Sequence, residues 1–184
     1  MALTLIKEDG TGHVDANAYA NAADGDAYHE GHLYASAWTA AATGSKEAAL
    51  VFATRLIDSQ FQFGGSRATE TQALQWPRVN CFDPDKPPAS VLSVLLLASP
   101  FVSASIVPKA VRDATCEMAR ELLIADRTAS PAGEGLKYQN VGSTQTGYDK
   151  GDTRPVISHV AEAMLIKFGS MLKSKSGAVR LVRA

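Results

Sequence analysis

The chain reads as a mainly α protein: a helical bundle of about four helices with a small β-hairpin and extended N- and C-terminal arms. Three observations predict this. Apolar residues recur at i, i+3 and i+4 over two long stretches, 46–60 and 108–127. Clusters of Gly, Pro and Ser separate those stretches from shorter ones. The two ends lack helical periodicity, and no acidic residue follows Glu162.

Residues 2–7 alternate weakly between apolar and polar and predict a strand, ended by Asp9-Gly10 and Gly12. Asn21 is expected to cap a helix over 22–33, because its side chain can accept from an unpaired N–H of the first turn. Gly25 and Gly31 weaken that helix, and Trp38 falls in a loop or helix end. Ser45 is expected to cap a second helix over 46–60, with Ala49, Leu50, Ala53, Leu56 and Ile57 as its apolar stripe. Glu47 suits the positive end of that helix, and Phe61-Gln-Phe-Gly-Gly65 stops it. Thr71–Leu74 predicts a short helical turn, closed by the residue before Pro77. Residues 79–106 read as loop and then as apolar chain, with a strand or short helix over 90–98.

Pro108 at a first helical position opens the best helix, 108–127, with Val111, Ala114, Met118, Leu122 and Ala125 on one face. A hairpin is expected about Gly142, its strands over 136–141 and 143–148. A lone hairpin is marginal in water, so this one needs the helices or a neighbour's strand. Pro155 opens a last helix to about 168, with Val156, Val160, Ala163, Met164 and Phe168 as its stripe. The organisation is then one domain over 1–168 and a flexible basic arm over 169–184. That arm ends in the strand-like Ala178-Val-Arg-Leu-Val-Arg183.

At 184 residues with 46% hydrophobic and 20% charged residues, the chain suits one soluble domain with a real core. A net charge of -1 argues against a general polyanion binder, which would be basic on at least one face. The charge is uneven. Glu8, Asp9, Asp15, Asp24, Asp26 and Glu30 face only Lys7 within 1–44, whereas Lys167, Lys173, Lys175, Arg180 and Arg183 meet no acid within 163–184. Such asymmetry speaks to association. Cys81 and Cys116, 35 residues apart without ligand-spaced neighbours, read as reduced thiols. No signal-peptide pattern is visible at the N-terminus. From Pro87 to Pro108 there is no charge, but five serines and Pro100 interrupt the apolar run. A membrane span needs about 20 predominantly apolar residues, so a buried loop or subunit interface is expected and no membrane.

Few residues suggest chemistry. His29 and His32 share a helix face beside Asp26 and Glu30, at a spacing one short of H-E-x-x-H; a solvated face is expected rather than a metal. Asp24-Gly-Asp26 lacks the ligand series of a calcium loop. No P-loop, G-x-G-x-x-G or G-x-S-x-G occurs. No catalytic site, cofactor or metal is therefore expected. Trp76-Pro77-Arg78 allows two readings: a buried tryptophan anchoring a loop, with Arg78 on a carboxylate or helix end, or an aromatic–basic pair stacking a base. Tyr19, Tyr28, Trp38 and Phe63 read as core or interface aromatics.

In order along the chain stand Glu8-Asp-Gly-Thr-Gly12, Asn17-Ala-Tyr19, Lys46-Glu-Ala-Ala-Leu50 and Leu74-Gln-Trp-Pro-Arg78. Val107-Pro108 with Ala114 and Glu117, the Leu136–Tyr148 hairpin and Arg180-Leu-Val-Arg183 follow. That order resembles the tailed-phage head-to-tail connector, or neck adaptor, family, whose members are often labelled DnaT-like single-stranded-DNA-binding. The apolar stretch between Arg78 and Pro108 is longer than the family pattern suggests. The resemblance implies a structural virion protein of the neck, assembled in the bacterial host cytoplasm. It would form a ring of twelve subunits under the portal protein, with tail or head-closure proteins on its other side and DNA passing through the lumen without specific binding. It also implies a portal-binding arm, carried here by Lys173, Lys175, Val179, Arg180, Leu181, Val182 and Arg183. The alternative is a single-stranded-DNA-binding replication protein using the same basic end.

Overall fold

The computed structural model describes residues 3–86, 99–129, 138–147 and 155–172. Among these residues lie five helices: α1 (Ala22–His29), α2 (Ser36–Thr39), α3 (Thr43–Gln60), α4 (Lys109–Ile124) and α5 (His159–Leu165). Six short strands join them: β1 (Phe61–Phe63), β2 (Ser66–Arg67), β3 (Arg78–Val79), β4 (Tyr138–Val141), β5 (Thr144–Gly147) and β6 (Gly169–Met171). They pair antiparallel as β1–β6, β2–β3 and β4–β5.

The expectation of a mainly α four-helix bundle is therefore overturned: the class is mixed α/β. Each expected helix is present, but α1 and α5 are shorter than predicted, α2 is additional, and backbone pairing organises much of the connecting chain. The β1–β6 pair joins residues about a hundred positions apart, a register with no local sequence signature.

The helices form for identifiable reasons. Asn21 and Asp24 make a reciprocal capping box at the start of α1. That helix stops at His29, four residues before the expected end. On α3 the five predicted stripe residues are buried, but the helix begins at Thr43 after Ala42, without a side-chain cap, so Ser45 is not its cap. Pro108 is the N-cap of α4, which buries Val111, Ala114 and Met118 as expected. It also buries Glu117 and Arg120, which satisfy each other. Ser158, not Pro155, opens α5, its side chain accepting from the Ala161 N–H.

The stripe of α5 is displaced from the expected one. Ile157, Ala161, Leu165 and Phe168 are buried, while Val160 is half exposed and Ala163 is exposed. The helix is apolar on two faces, and periodicity alone does not say which one the core takes. Two further expectations fail. Of the strand expected over 2–7, residues 3–6 form none and Lys7 alone makes an isolated parallel bridge, to Ala18; the Asn17 side chain accepts from Ile6 N–H and donates to Thr4 C=O, while its backbone N–H donates to Ile6 C=O. Residues 71–74 form bends rather than a helical turn, because Gln72 ties the loop through its side chain to Thr69 N–H and the Leu74 and Pro77 carbonyls. The stretch 90–98 lies outside the described residues.

The core sits where α1, α2 and α5 pack on α4 and α4 packs on α3. Trp38, Trp76, Tyr19, Phe61 and Met118 are its large, fully buried side chains. No helix among the described residues is long and apolar enough to cross a membrane.

Candidate functional site

Three sequence motifs prove to be joints of the fold. In Glu8-Asp-Gly-Thr-Gly12 the Glu8 carboxylate is buried and accepts from the N–H groups of Gly10, Gly12 and His13 at 2.8–2.9 Å. Three convergent backbone donors make a good anion cradle, and the chain fills it with its own side chain. Gly10, at φ +106°, brings the loop so close to Ser105 that a β-carbon would lie 2.1 Å from the Ser105 carbonyl oxygen.

The Tyr19 hydroxyl donates to Asp58 at 2.5 Å, and Gln75 N–H reaches both the Asp58 carboxylate and the Tyr19 oxygen. Burial pushes the Asp58 carboxyl up to about 6, against the hydrogen bonds that favour its charged form. Burial also holds the Tyr19 phenol well above its usual range.

Of the two readings of Trp76-Pro77-Arg78, the buried anchor is the one observed. Trp76 is fully buried, edge-on to Phe63 and Phe168 with ring centroids 5.5 and 5.7 Å away. Arg78 donates to the carbonyl oxygens of Phe63, Gly64, Gly65 and Gln75 rather than to a carboxylate. A base cannot reach this indole. Tyr19, Trp38 and Phe63 are likewise core, and Tyr28 packs partly buried against it.

His29 is buried and its Nε2 lies 3.2 Å from the Cys116 carbonyl oxygen; burial lowers its basicity. His32 lies 3.7 Å from the buried Glu117, which takes a hydrogen bond from Arg120. Cys81 and Cys116 are both free and buried.

The surface is acidic. The described residues carry 16 Asp and Glu against 11 Lys and Arg, a formal charge of -5. Several of those cations are held by the fold: Arg78 on carbonyls, Arg120 and Arg127 on Glu121, Lys7 on Asp24, Lys46 on Asp26. The arm residues Lys173, Lys175, Val179, Arg180, Leu181, Val182 and Arg183 lie outside the described residues. Residues 173–184 add four basic residues and no acid.

Apolar side chains face solvent in several places. The β4–β5 hairpin lies within the expected strand ranges and turns at Gly142-Ser143, so its second strand starts at Thr144; Tyr138 is 56% and Val141 68% exposed, and Asn140, Ser143 and Thr144 are also in water. The loop between α1 and α2 presents Leu33, 92% exposed, beside Tyr34. A concave groove of 660 Å³ lies between the start of α4, helix α5 and the chain around residues 83 and 102–106. Sequence reasoning missed this groove; its signal was the surplus apolar face of the last helix.

Comparison with protein families matches residues 3–184 to the family described as "Putative DnaT-like ssDNA binding protein". The chain belongs to that family. No curated protein and no solved structure matches it. For this DnaT-like family member, the joints at Glu8, Tyr19–Asp58 and Trp76–Arg78 explain three of the motifs as architecture. The surfaces left over are the hairpin, the groove and the basic end.

Proposed function

We propose that this protein acts through assembly, as a head-to-tail adaptor of a tailed phage that forms a ring beneath the portal protein and joins it to tail or head-closure proteins. The observation that carries this reading is the β4–β5 hairpin in solvent. Two strands alone are marginal in water, and one that shows Tyr138 and Val141 to solvent gains from a second surface. The neighbouring subunit or a neck protein supplies it. The -5 body suits a lumen through which DNA passes without being held. The basic end, residues 173–184, is the segment that reaches the portal. The protein performs no catalysis in this role.

The test is the mass of the protein by light scattering, alone and mixed with purified portal. A complex of ring size is expected, lost when residues 173–184 are removed from a chain that still melts cooperatively. Absence of association between the folded protein and portal overturns the adaptor reading.

A second reading, single-stranded-DNA binding, has the family's description and the four arm cations behind it. The family match supports it more directly than it supports the adaptor; the acidic body and the buried Trp76 weigh against it. If the arm alone makes phosphate contacts, four cations give a slope of log K against log salt of about -3. Lys173→Ala, Lys175→Ala, Arg180→Ala and Arg183→Ala together would abolish it. No oligonucleotide binding at low salt removes this reading.

A further inference from the structure

The groove between α4 and α5 is an unusual thing to leave open. Its walls include Val102, Ile106, Val160, Ala163 and Met164, and Val160 and Ile106 are 51% and 46% exposed. An amphipathic helix ordinarily turns its apolar stripe to the core. Helix α5 does so with Ile157, Ala161 and Leu165, and still presents a second apolar row outward. The rim carries three carboxylates, Asp83, Asp85 and Asp113. Among the described residues their cationic partners are lysines: Lys86 at 3.9 Å from Asp83, Lys167 at 3.4 Å from Asp85, and Lys109 on Asp113; Asp83 also accepts from the Asp85 N–H at 3.2 Å. Exposed lysine pairs of this kind hold weakly, and an arginine, with its planar fork, competes well for a carboxylate.

We propose that this groove binds the chain's own C-terminal arm, residues 173–184, with Val179 and Leu181 against the apolar floor and Arg180 and Arg183 on the rim carboxylates. Where the chain runs supports this occupant. Lys167 and Phe168 line the groove, and the described chain ends four residues later at Leu172. Twelve further residues span up to about 40 Å when extended, ample for a return. Charge supports it too: the arm has four cations and no anion, the body a charge of -5. The apolar stretch 87–98, which follows Lys86 in the chain, carries no charge to answer the carboxylates.

The consequence rests on the adaptor reading. A docked arm covers both an apolar groove and a sticky basic segment in the free protein, and the portal must displace it. Docking in cis then sets the threshold for joining the portal.

Disulfide trapping in the full-length chain tests this. Val160→Cys with Val179→Cys places one thiol in the groove and one on the arm; the native Cys81 and Cys116 are buried and do not compete. The control is Val14→Cys, 55% exposed and absent from the groove lining, with Val179→Cys. Under mild oxidation the groove pair is expected to close within one chain at least tenfold faster than the control, because docking raises the effective concentration of the thiols. Asp83→Lys with Asp85→Lys is expected to slow closure, and adding Arg180→Glu and Arg183→Glu to restore it. Equal rates for groove and control pairs overturn the proposal. So does a cross-link that forms only between chains and rises with protein concentration, which would assign the groove to a second copy's arm. Charge reversal without effect overturns the role given to the rim. Portal that binds a chain showing no groove cross-link leaves the adaptor reading standing and removes this one. A fast cross-link in a chain that never binds portal does the reverse.

Discussion

At the scale of single residues, the buried acids organise the loops. Glu8 holds three backbone donors, and a neutral amide cannot serve them all, since half of its head group is itself a donor. Glu8→Gln is expected to cost about 1–3 kcal/mol, as loss of a charged acceptor to buried partners does. A urea titration reads this as a lowered midpoint at unchanged slope. Asp58 gives a pH signature. Its carboxyl is raised to about 6 in the folded protein, so the native state binds this proton more tightly than the unfolded chain. The stability it contributes is fully present below the ordinary Asp value of 3.8 and is lost as pH rises through about 6. That loss is on the order of 3 kcal/mol. The difference in unfolding free energy between the parent and Asp58→Asn should therefore change between pH 4 and pH 7 and stay level above it. A difference constant with pH would mean that Asp58 does not carry this proton.

At the scale of elements, Gly25 shows how tightly α1 and α2 meet. A β-carbon there would lie 2.2 Å from Trp38 Cζ2, and the indole is fixed by its N–H donation to Asp26 at 2.8 Å. Gly25→Ala, which raises helix propensity, is expected to destabilise by about 1–3 kcal/mol through overpacking, measurable as a fall in Tm. The sequence presented Gly25 only as a weak point in a helix; its purpose depends on a tryptophan 13 residues away that no local pattern pairs with it. The same limit explains the rest. Helices α3 and α4 were legible because one apolar stripe per helix has one destination. Helix α5 was placed approximately, and its packed face was mistaken because two apolar faces compete. The hairpin was legible from its turn glycine and short β-prone strands. Strand β6 was not, because its partner β1 lies across most of the chain. The sequence left two readings open at Trp76–Arg78, because the four carbonyl oxygens that Arg78 meets are backbone atoms that no sequence pattern names.

At the scale of the whole molecule, charge and exposure are separated along the chain: an acidic body, a basic end, and apolar side chains on a hairpin and in a groove. The hairpin is the cleanest place to divide folding from assembly. Tyr138→Ser with Val141→Lys alters two exposed side chains, so the melting temperature should stay within about 0.5 kcal/mol equivalent of the parent, as for other surface changes. Mass measurements with portal should then show smaller or fewer complexes. A drop in Tm with assembly intact would mean that the hairpin serves the fold instead.

The pairing of β6 with β1 has a mechanical side. Leu172 N–H donates to Gln60 C=O at 2.8 Å, and Met171 sits opposite Phe61. The last described residue of the chain is thereby tied to the final turn of α3, the longest of the described helices and a principal wall of the core. A pull on the C-terminal segment is not borne by the short α5 alone. It loads the β1–β6 rungs first and passes into α3, so the tether by which this protein would hang from a partner is anchored in a wall of its core.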